Sequence, residues 1–459
     1  MISLYVLNTV ETKTNFMKFI RILRISILFI LVFFGEIAIS FSDKASVEKV
    51  IPSEEKMPIS LKLSNNLSAY ESMQDLDQQI EVFMKKWNIV GASVAVVKDE
   101  RLIYTKGFGY ADKENNVKVE PKHLFRVASV SKLITATAVM KLIDDGILNL
   151  TDTIFGENGI LNQNEFLAYK DPKVTSITVK NLLNHSSGWT NKKGDPMFQN
   201  LAIAKKMKAE LPLNTETIIQ YVLENRKLDY KTGTKSVYLN FGYAILGLVV
   251  EKASKQNYED YVLSHILNPI GIYDMRLGKS LAADKYENEV KYYGLKGERD
   301  VLSSFGTGEK VPKYYGGNSI ETLGSAGGWL ASPTELMKLV VAIDGFNIRK
   351  DILTEESIQA MTKSTKKIRP FGWTGTDKNG FWWRTGTLSG TSALLKREKN
   401  GISWVLIINT SPKYGARFPV QINKTLIRGL ATINDWPSYD LFDYYEPRQL
   451  TNKMLTIAD

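Results

Sequence analysis

Cysteine is absent from all 459 residues. That removes a thiol nucleophile, a disulfide framework and thiolate metal sites from consideration. Histidine is scarce as well: only His123, His185 and His265 occur, and no pair of them has the spacing of a zinc motif, so neither a metal nor a cofactor is expected. No Gly-x-Ser-x-Gly elbow is present, so the Ser-His-Asp template finds no nucleophile. The net charge of +10 is spread along the chain without a long Lys/Arg run, which argues against a nucleic-acid partner. Internal repeats are also missing.

What is present is ordinary for a globular protein: 44% hydrophobic and 24% charged residues, enough to bury a sizeable core. Lys18, Arg21 and Arg24 precede an apolar run from Ile25 to Phe34, and Ala38-Ile39-Ser40 offers small residues for cleavage. Residues 1–40, with Met17 a possible start, read as an export signal, which places the protein in the periplasm or outside the cell. The run is short for a membrane span and Glu36 would be costly there, so membrane attachment is expected only if the segment stays uncleaved. Residues 41–73 are polar and irregular and read as a linker, and residues 437–459 as an aromatic tail.

Between them, residues 74–436 form one enzyme domain. Leu76, Ile80, Phe83 and Met84 recur at helix spacing, and GASVAVVKDERLIYTKGFGYAD reads as two strands around the turn Lys98-Asp99-Glu100. A helix follows from about 124 to 150, apolar on most faces and therefore buried. Residues 176–275 are mainly helical, 290–320 form a long loop, and Ser332 with Glu335 reads as a capping box. The strands GFWWRTG, TSALLKRE and ISWVLIINT then precede a helix from Pro419 to Ala431. This order predicts an α+β fold: an antiparallel sheet built from both chain ends and flanked by helices, with a mostly helical insertion at about 120–315.

Ser-x-x-Lys occurs four times, at Ser46, Ser53, Ser129 and Ser364, and only Ser129-Val130-Ser131-Lys132 opens a long buried helix. That spacing places Ser129 and Lys132 on one helix face. The helix dipole favours a developing alkoxide at its start, and a desolvated lysine can serve as a base. Taken alone, the four residues favour a plainer reading, with Ser129 a helix cap and Lys132 a surface lysine.

FRVASVSKLITATAVMKLIDDGILNLTD resembles the nucleophile helix of the β-lactamase-related serine hydrolases, which include class C β-lactamases, DD-peptidases (penicillin-binding proteins), and related esterases and amidases. The likeness continues, in the family's order, through LLNHSSGW, SVYLNFGYAILG, GSAGGWLASPTEL and WRTGTLSGTSALL, over roughly residues 75–432. The resemblance implies that Ser129 is acylated, that Lys132 and Tyr238 handle the proton, and that Asn240 orients the substrate amide. The backbone amides of Ser129 and Thr387 would form the oxyanion hole. Asn240 merely bracing its loop, and Tyr238 as a core tyrosine, stand as alternatives.

Lys231-Thr232-Gly233 mimics the family's Lys-Thr-Gly but lies only five residues before the tyrosine of Tyr238-Leu239-Asn240. The counterpart in position is Arg384-Thr385-Gly386. Arginine cannot relay protons but can grip a carboxylate with two parallel hydrogen bonds. Arg384 and Thr385 therefore point to a small-molecule or peptide substrate with a carboxylate, such as a peptidoglycan stem peptide or a β-lactam; alternatively, Arg384 only supports Tyr238. A Tyr-x-Asn at Tyr286 and a near-match to a deacylating glutamate loop at Glu157–Asn162 are read as incidental, and His185 as structural. The expected function is a D-Ala-D-Ala carboxypeptidase-like amide hydrolase, with an esterase or lactonase, a true β-lactamase, or an inactive binder of cell-wall fragments as rivals.

Overall fold

The computed structural model describes residues 57–444; the segment read as an export signal and the rest of the tail lie outside them. A seven-stranded antiparallel sheet forms the centre. Its long strands are β1 (Gly91–Lys98), β2 (Arg101–Asp112), β5 (Trp382–Leu388), β6 (Thr391–Arg397) and β7 (Ile402–Ile408), with β3 (Val117–Lys118) and β4 (Gly375–Thr376) at the edges. The spatial order is β3-β2-β1-β7-β6-β5-β4, so the two chain ends meet where Ala92 pairs with Ile408. This is the sheet expected from the sequence. The β1–β2 turn uses Asp99 and Glu100, both at positive φ, as a tight two-residue hairpin requires.

Both faces of the sheet are covered, which explains why β1 and β7 read as unbroken apolar runs. On one face, Val94, Val96, Trp404, Leu406 and Ile408 pack against Leu76, Ile80 and Phe83 of α1 (Gln74–Trp87) and against Ile422 and Leu426 of a C-terminal helix at Pro419–Leu430. On the other, Ala95, Val97, Leu395, Val405 and Ile407 join the core that contains α2 (Ser131–Asp144), α3 (Asn240–Ser254) and α4 (Ile320–Gly327). A short strand, Trp329–Ala331, separates α4 from the next helix, which begins at Pro333. Ser332 does cap that helix by accepting from the Glu335 amide, while the Glu335 carboxylate is fully buried.

Two boundaries differ from expectation. Residues 57–73 are not a loose linker: Ile59, Leu63 and Met73 are buried. Asn65 Oδ1 accepts from the Gly107 amide (2.7 Å), and Ser68 Oγ donates to Thr105 O (2.7 Å) and accepts from its amide (2.9 Å). β3 covers only the far end of β2, and this strap satisfies backbone groups that an open edge would leave unpaired. The start of the tail does the same, because Asp440 Oδ1 accepts from the Leu102 amide (2.9 Å) while Leu441 and Phe442 are buried. Short polar side chains substitute for a missing strand, and composition alone does not reveal that.

Candidate active site

The chain reaches Ser129 through a tight turn. Ala128 holds φ 50°, a conformation that is uncommon outside glycine, before a single 3-10 turn over Ala128–Val130 leads into α2. Strained backbone of this kind clusters at functional sites because the surrounding structure must hold it. Here β5 holds it: a Cβ on Gly386 would lie 2.1 Å from the Val127 carbonyl oxygen, so only glycine lets the strand come this close. Gly386, read from the sequence as a substrate contact, acts sterically.

The helix spacing brings Lys132 under Ser129, as expected. Lys132 is fully buried, and its Nζ donates to Ser129 Oγ (3.2 Å), Asn240 Oδ1 (2.6 Å) and the Ala326 carbonyl oxygen. Those three acceptors use all three N–H bonds of an ammonium. Tyr238, at the entry to α3, places its Oη 2.6 Å from Ser129 Oγ. Burial lowers the Lys132 pKa to about 8, reinforced by Arg384 and opposed by Tyr238. Burial alone would raise Tyr238, but the Lys132 and Arg384 cations outweigh it and bring the phenol down to about 8. A serine hydroxyl thus stands between an ammonium and an acidified phenol.

Arg384 departs from the two-pronged carboxylate grip. It is 2% exposed, its Nε donates to the Ser129 carbonyl oxygen (2.6 Å), and its buried Nη2 has no partner. Its guanidinium carbon lies 6.0 Å from the Tyr238 ring centre, the arrangement of the alternative in which it supports Tyr238. Asn240 is committed at both ends of its amide, with Oδ1 on Lys132 and Nδ2 on Asp195 Oδ2 (3.0 Å), which also accepts from the Asn240 backbone amide (2.7 Å). Thr385 lies across from Thr374, their hydroxyl oxygens 3.1 Å apart, and Thr387 follows on the same strand.

Ser129, Tyr238, Asn240, Arg384, Thr385 and Thr387 all line one cavity of about 360 Å³. Two residues that sequence reasoning missed belong here. Asp195 fixes Asn240 from a distant loop, and Arg369 lines the cavity with its guanidinium 5.9 Å from the Tyr238 ring centre. Neither sits in a motif; each is placed by tertiary packing. Among the described residues no Asp or Glu lines this cavity, so Arg369 and Arg384 meet no carboxylate from those walls.

A profile of the Beta-lactamase family matches residues 76–424. The chain belongs to the beta-lactamase family, a family of serine hydrolases. Among its relatives, Protein flp of Staphylococcus aureus (strain MW2) is 25% identical over 78% of this chain and 67% of its own length. Two solved structures share the fold. The octameric penicillin-binding protein homologue from Pyrococcus abyssi has a TM-score of 0.58 at 23% identity, covering 84% of this chain and 82% of that one. The D-amino acid amidase from Ochrobactrum anthropi SV3 has a TM-score of 0.61 at 20% identity, covering 79% and 99%.

The other sequence readings also find their places within this beta-lactamase fold. Lys231-Thr232-Gly233 lies in a turn, with Gly233 at φ 75° and its amide on the Ser186 carbonyl, outside the cavity. His185 packs 4.6 Å from the Tyr238 ring and 5.1 Å from Tyr243; burial, then Lys132 and Arg384, hold it well below the usual histidine range and therefore neutral. Trp373 is buried core, and neither it, Trp382 nor Trp383 lines the cavity. Tyr286 and Asn288 bond Leu277 and Asp274 elsewhere. Among the described residues, no group of three His, Asp or Glu side chains is arranged to hold a metal ion, and no helix is long and apolar enough to cross a membrane.

Proposed function

We propose that the protein is an exported serine acyl-hydrolase that forms an acyl-enzyme at Ser129 and acts on amides bearing a free carboxylate, in the manner of a D-Ala-D-Ala carboxypeptidase. The observation that carries this reading is the Tyr238–Ser129–Lys132 contact in an open cavity. Lys132 spends all its N–H bonds as an ammonium, which leaves Tyr238 Oη as the group that accepts the Ser129 proton. Ser129 Oγ then attacks the carbonyl carbon, and the oxygen that gains charge faces the Ser129 and Thr387 amides. Tyr238 returns the proton to the departing nitrogen, leaving an ester on Ser129 and a free amine. A water, deprotonated by Tyr238, adds to that ester, and Ser129 regains its proton as the acid departs.

The carboxylate preference is supported by Arg369, Thr374 and Thr385, which line a cavity with no acidic residue among those described. The amidase that shares the fold is in keeping with the amide-cleaving step. The test is a matched pair, a D-alanyl-D-alanine peptide and its carboxamide. The reading expects the free acid to be cleaved at least about tenfold faster, by the loss of one charge-assisted pair from the amide. Equal rates on both would overturn the carboxylate preference.

A further inference from the structure

The cavity around Ser129 adjoins a second groove of about 840 Å³ at its Thr387 end: Phe198, Thr387 and Leu388 line both. Leu201, Leu295, Leu302 and Pro412 continue its walls. Phe198 is 44% exposed, Leu201 38%, Leu295 37% and Leu302 53%, so four large apolar side chains are left in water around one depression. Single exposed apolar residues are commonplace, but a cluster marks a surface that something covers.

Strand β5 says which part of a substrate that is. Thr385, Gly386, Thr387 and Leu388 succeed one another along it, at roughly 3.3 Å per residue, so the Thr385 end and the Leu388 end lie about 10 Å apart. Arg369 and Thr374 stand with Thr385 at one end; the apolar groove begins with Leu388 at the other. The Thr387 amide lies between, where the reacting carbonyl is placed by the acyl-hydrolase reading. A substrate laid along this edge points its carboxylate toward Arg369 and its acyl substituent into the groove.

We propose that the groove is an acyl-group subsite and that the protein prefers substrates whose acyl part is bulky and apolar, aliphatic or aromatic, over small or polar ones. The inference rests on the Ser129 acyl-enzyme reading and deepens it by naming the acyl side of the substrate. The walls shared with the catalytic cavity favour this occupant over a membrane surface, which would need an apolar face turned outward and not a depression beside the reacting serine. Two charged side chains, both exposed, also line the groove: Glu298, which accepts from Ser389 Oγ (3.0 Å), and Lys313, which follows the strand Lys310–Val311.

The experiment compares p-nitrophenyl acetate, butyrate and hexanoate at concentrations below self-association. Each buried methylene is expected to raise kcat/KM about threefold to fourfold, so each two-carbon step gives about tenfold. In a Leu201→Glu/Leu302→Glu variant the acetate rate should stay within about twofold while the climb flattens; Leu295→Gln alone should flatten it partly, should the double variant fold poorly. A flat series in a wild-type enzyme that does turn over acetate overturns the groove assignment and leaves the acyl-enzyme reading intact. So does an undiminished climb in the folded double variant, or an unchanged climb accompanied by loss of vesicle binding. No turnover of any ester, together with no labelling of Ser129 by a fluorophosphonate, overturns both.

Discussion

The two faces of the central sheet are buried to the same degree and filled on opposite principles. Beneath α1, Val94, Val96, Leu406 and Ile408 meet Leu76, Ile80 and Phe83, and the layer is almost wholly apolar. On the other face, Lys132 and Arg384 are buried too, with Tyr238, Asn240 and Asp195 bonded around Lys132 and to one another. The first face gains free energy from every side chain it hides. The second must offset the desolvation of two cations with hydrogen bonds, and what it gains is a phenol and an ammonium that titrate near pH 8. The lesson is that stability and reactivity are housed on separate layers, so mutations should separate them.

Rate is where the separation should be widest. Lys132→Met is expected to lower acylation by at least about a thousandfold, since it removes the cation that acidifies Tyr238 and steadies Ser129. Yet relief of the ammonium's desolvation opposes the loss of its bonds to Asn240 Oδ1 and the Ala326 carbonyl, so the melting temperature is expected to move by no more than about 5 °C. Burst kinetics and calorimetry on one variant check both. A collapse of stability in step with rate would break the comparison.

The mirror experiment is Leu406→Ala on the other face. Leu406 is fully buried, so the expected cost is about 2–5 kcal/mol in denaturant unfolding, while kcat/KM at 25 °C holds within about twofold. Activity falling with stability would mean that the layers are not independent.

Tyr238→Phe sharpens the reactive side. Losing the proton acceptor should lower kcat/KM by about two to four orders of magnitude and abolish its rise from pH 6 to pH 8. Arg384→Gln should have the smallest effect. Arg384 lowers both Tyr238 and Lys132, so without it both pKa values rise and the pH profile moves to higher pH with little change in its maximum. An unmoved profile would mean that Arg384 acts only as a brace through the Ser129 carbonyl.

Much of this arrangement was legible in the sequence because it is local. Ser129 and Lys132 share a helix face, the short apolar runs of β1 and β7 mark strands, and the order of the motifs separates Arg384-Thr385-Gly386 from its imitation at Lys231. What escaped depends on packing between distant segments. Asp195 and Arg369 carry no local pattern, and each acts because the fold delivers it to Asn240 or to the cavity. Arg384 sat in the right place, but its burial decided what it does. Asn65 and Ser68 looked like linker residues because a short polar side chain bonding a strand edge leaves no periodic trace.

The central claim is that Ser129 becomes acylated while Lys132 stays an ammonium and Tyr238 takes the proton. The most direct measurement is the intact mass of the protein followed over time with benzylpenicillin, at pH 6 and pH 8, beside Ser129→Ala. The account predicts an adduct of the whole drug that forms faster at pH 8, or drug hydrolysis with the same pH dependence, and neither in Ser129→Ala. An adduct that persists in Ser129→Ala, or no adduct and no hydrolysis together with no reaction toward simple esters, would contradict it.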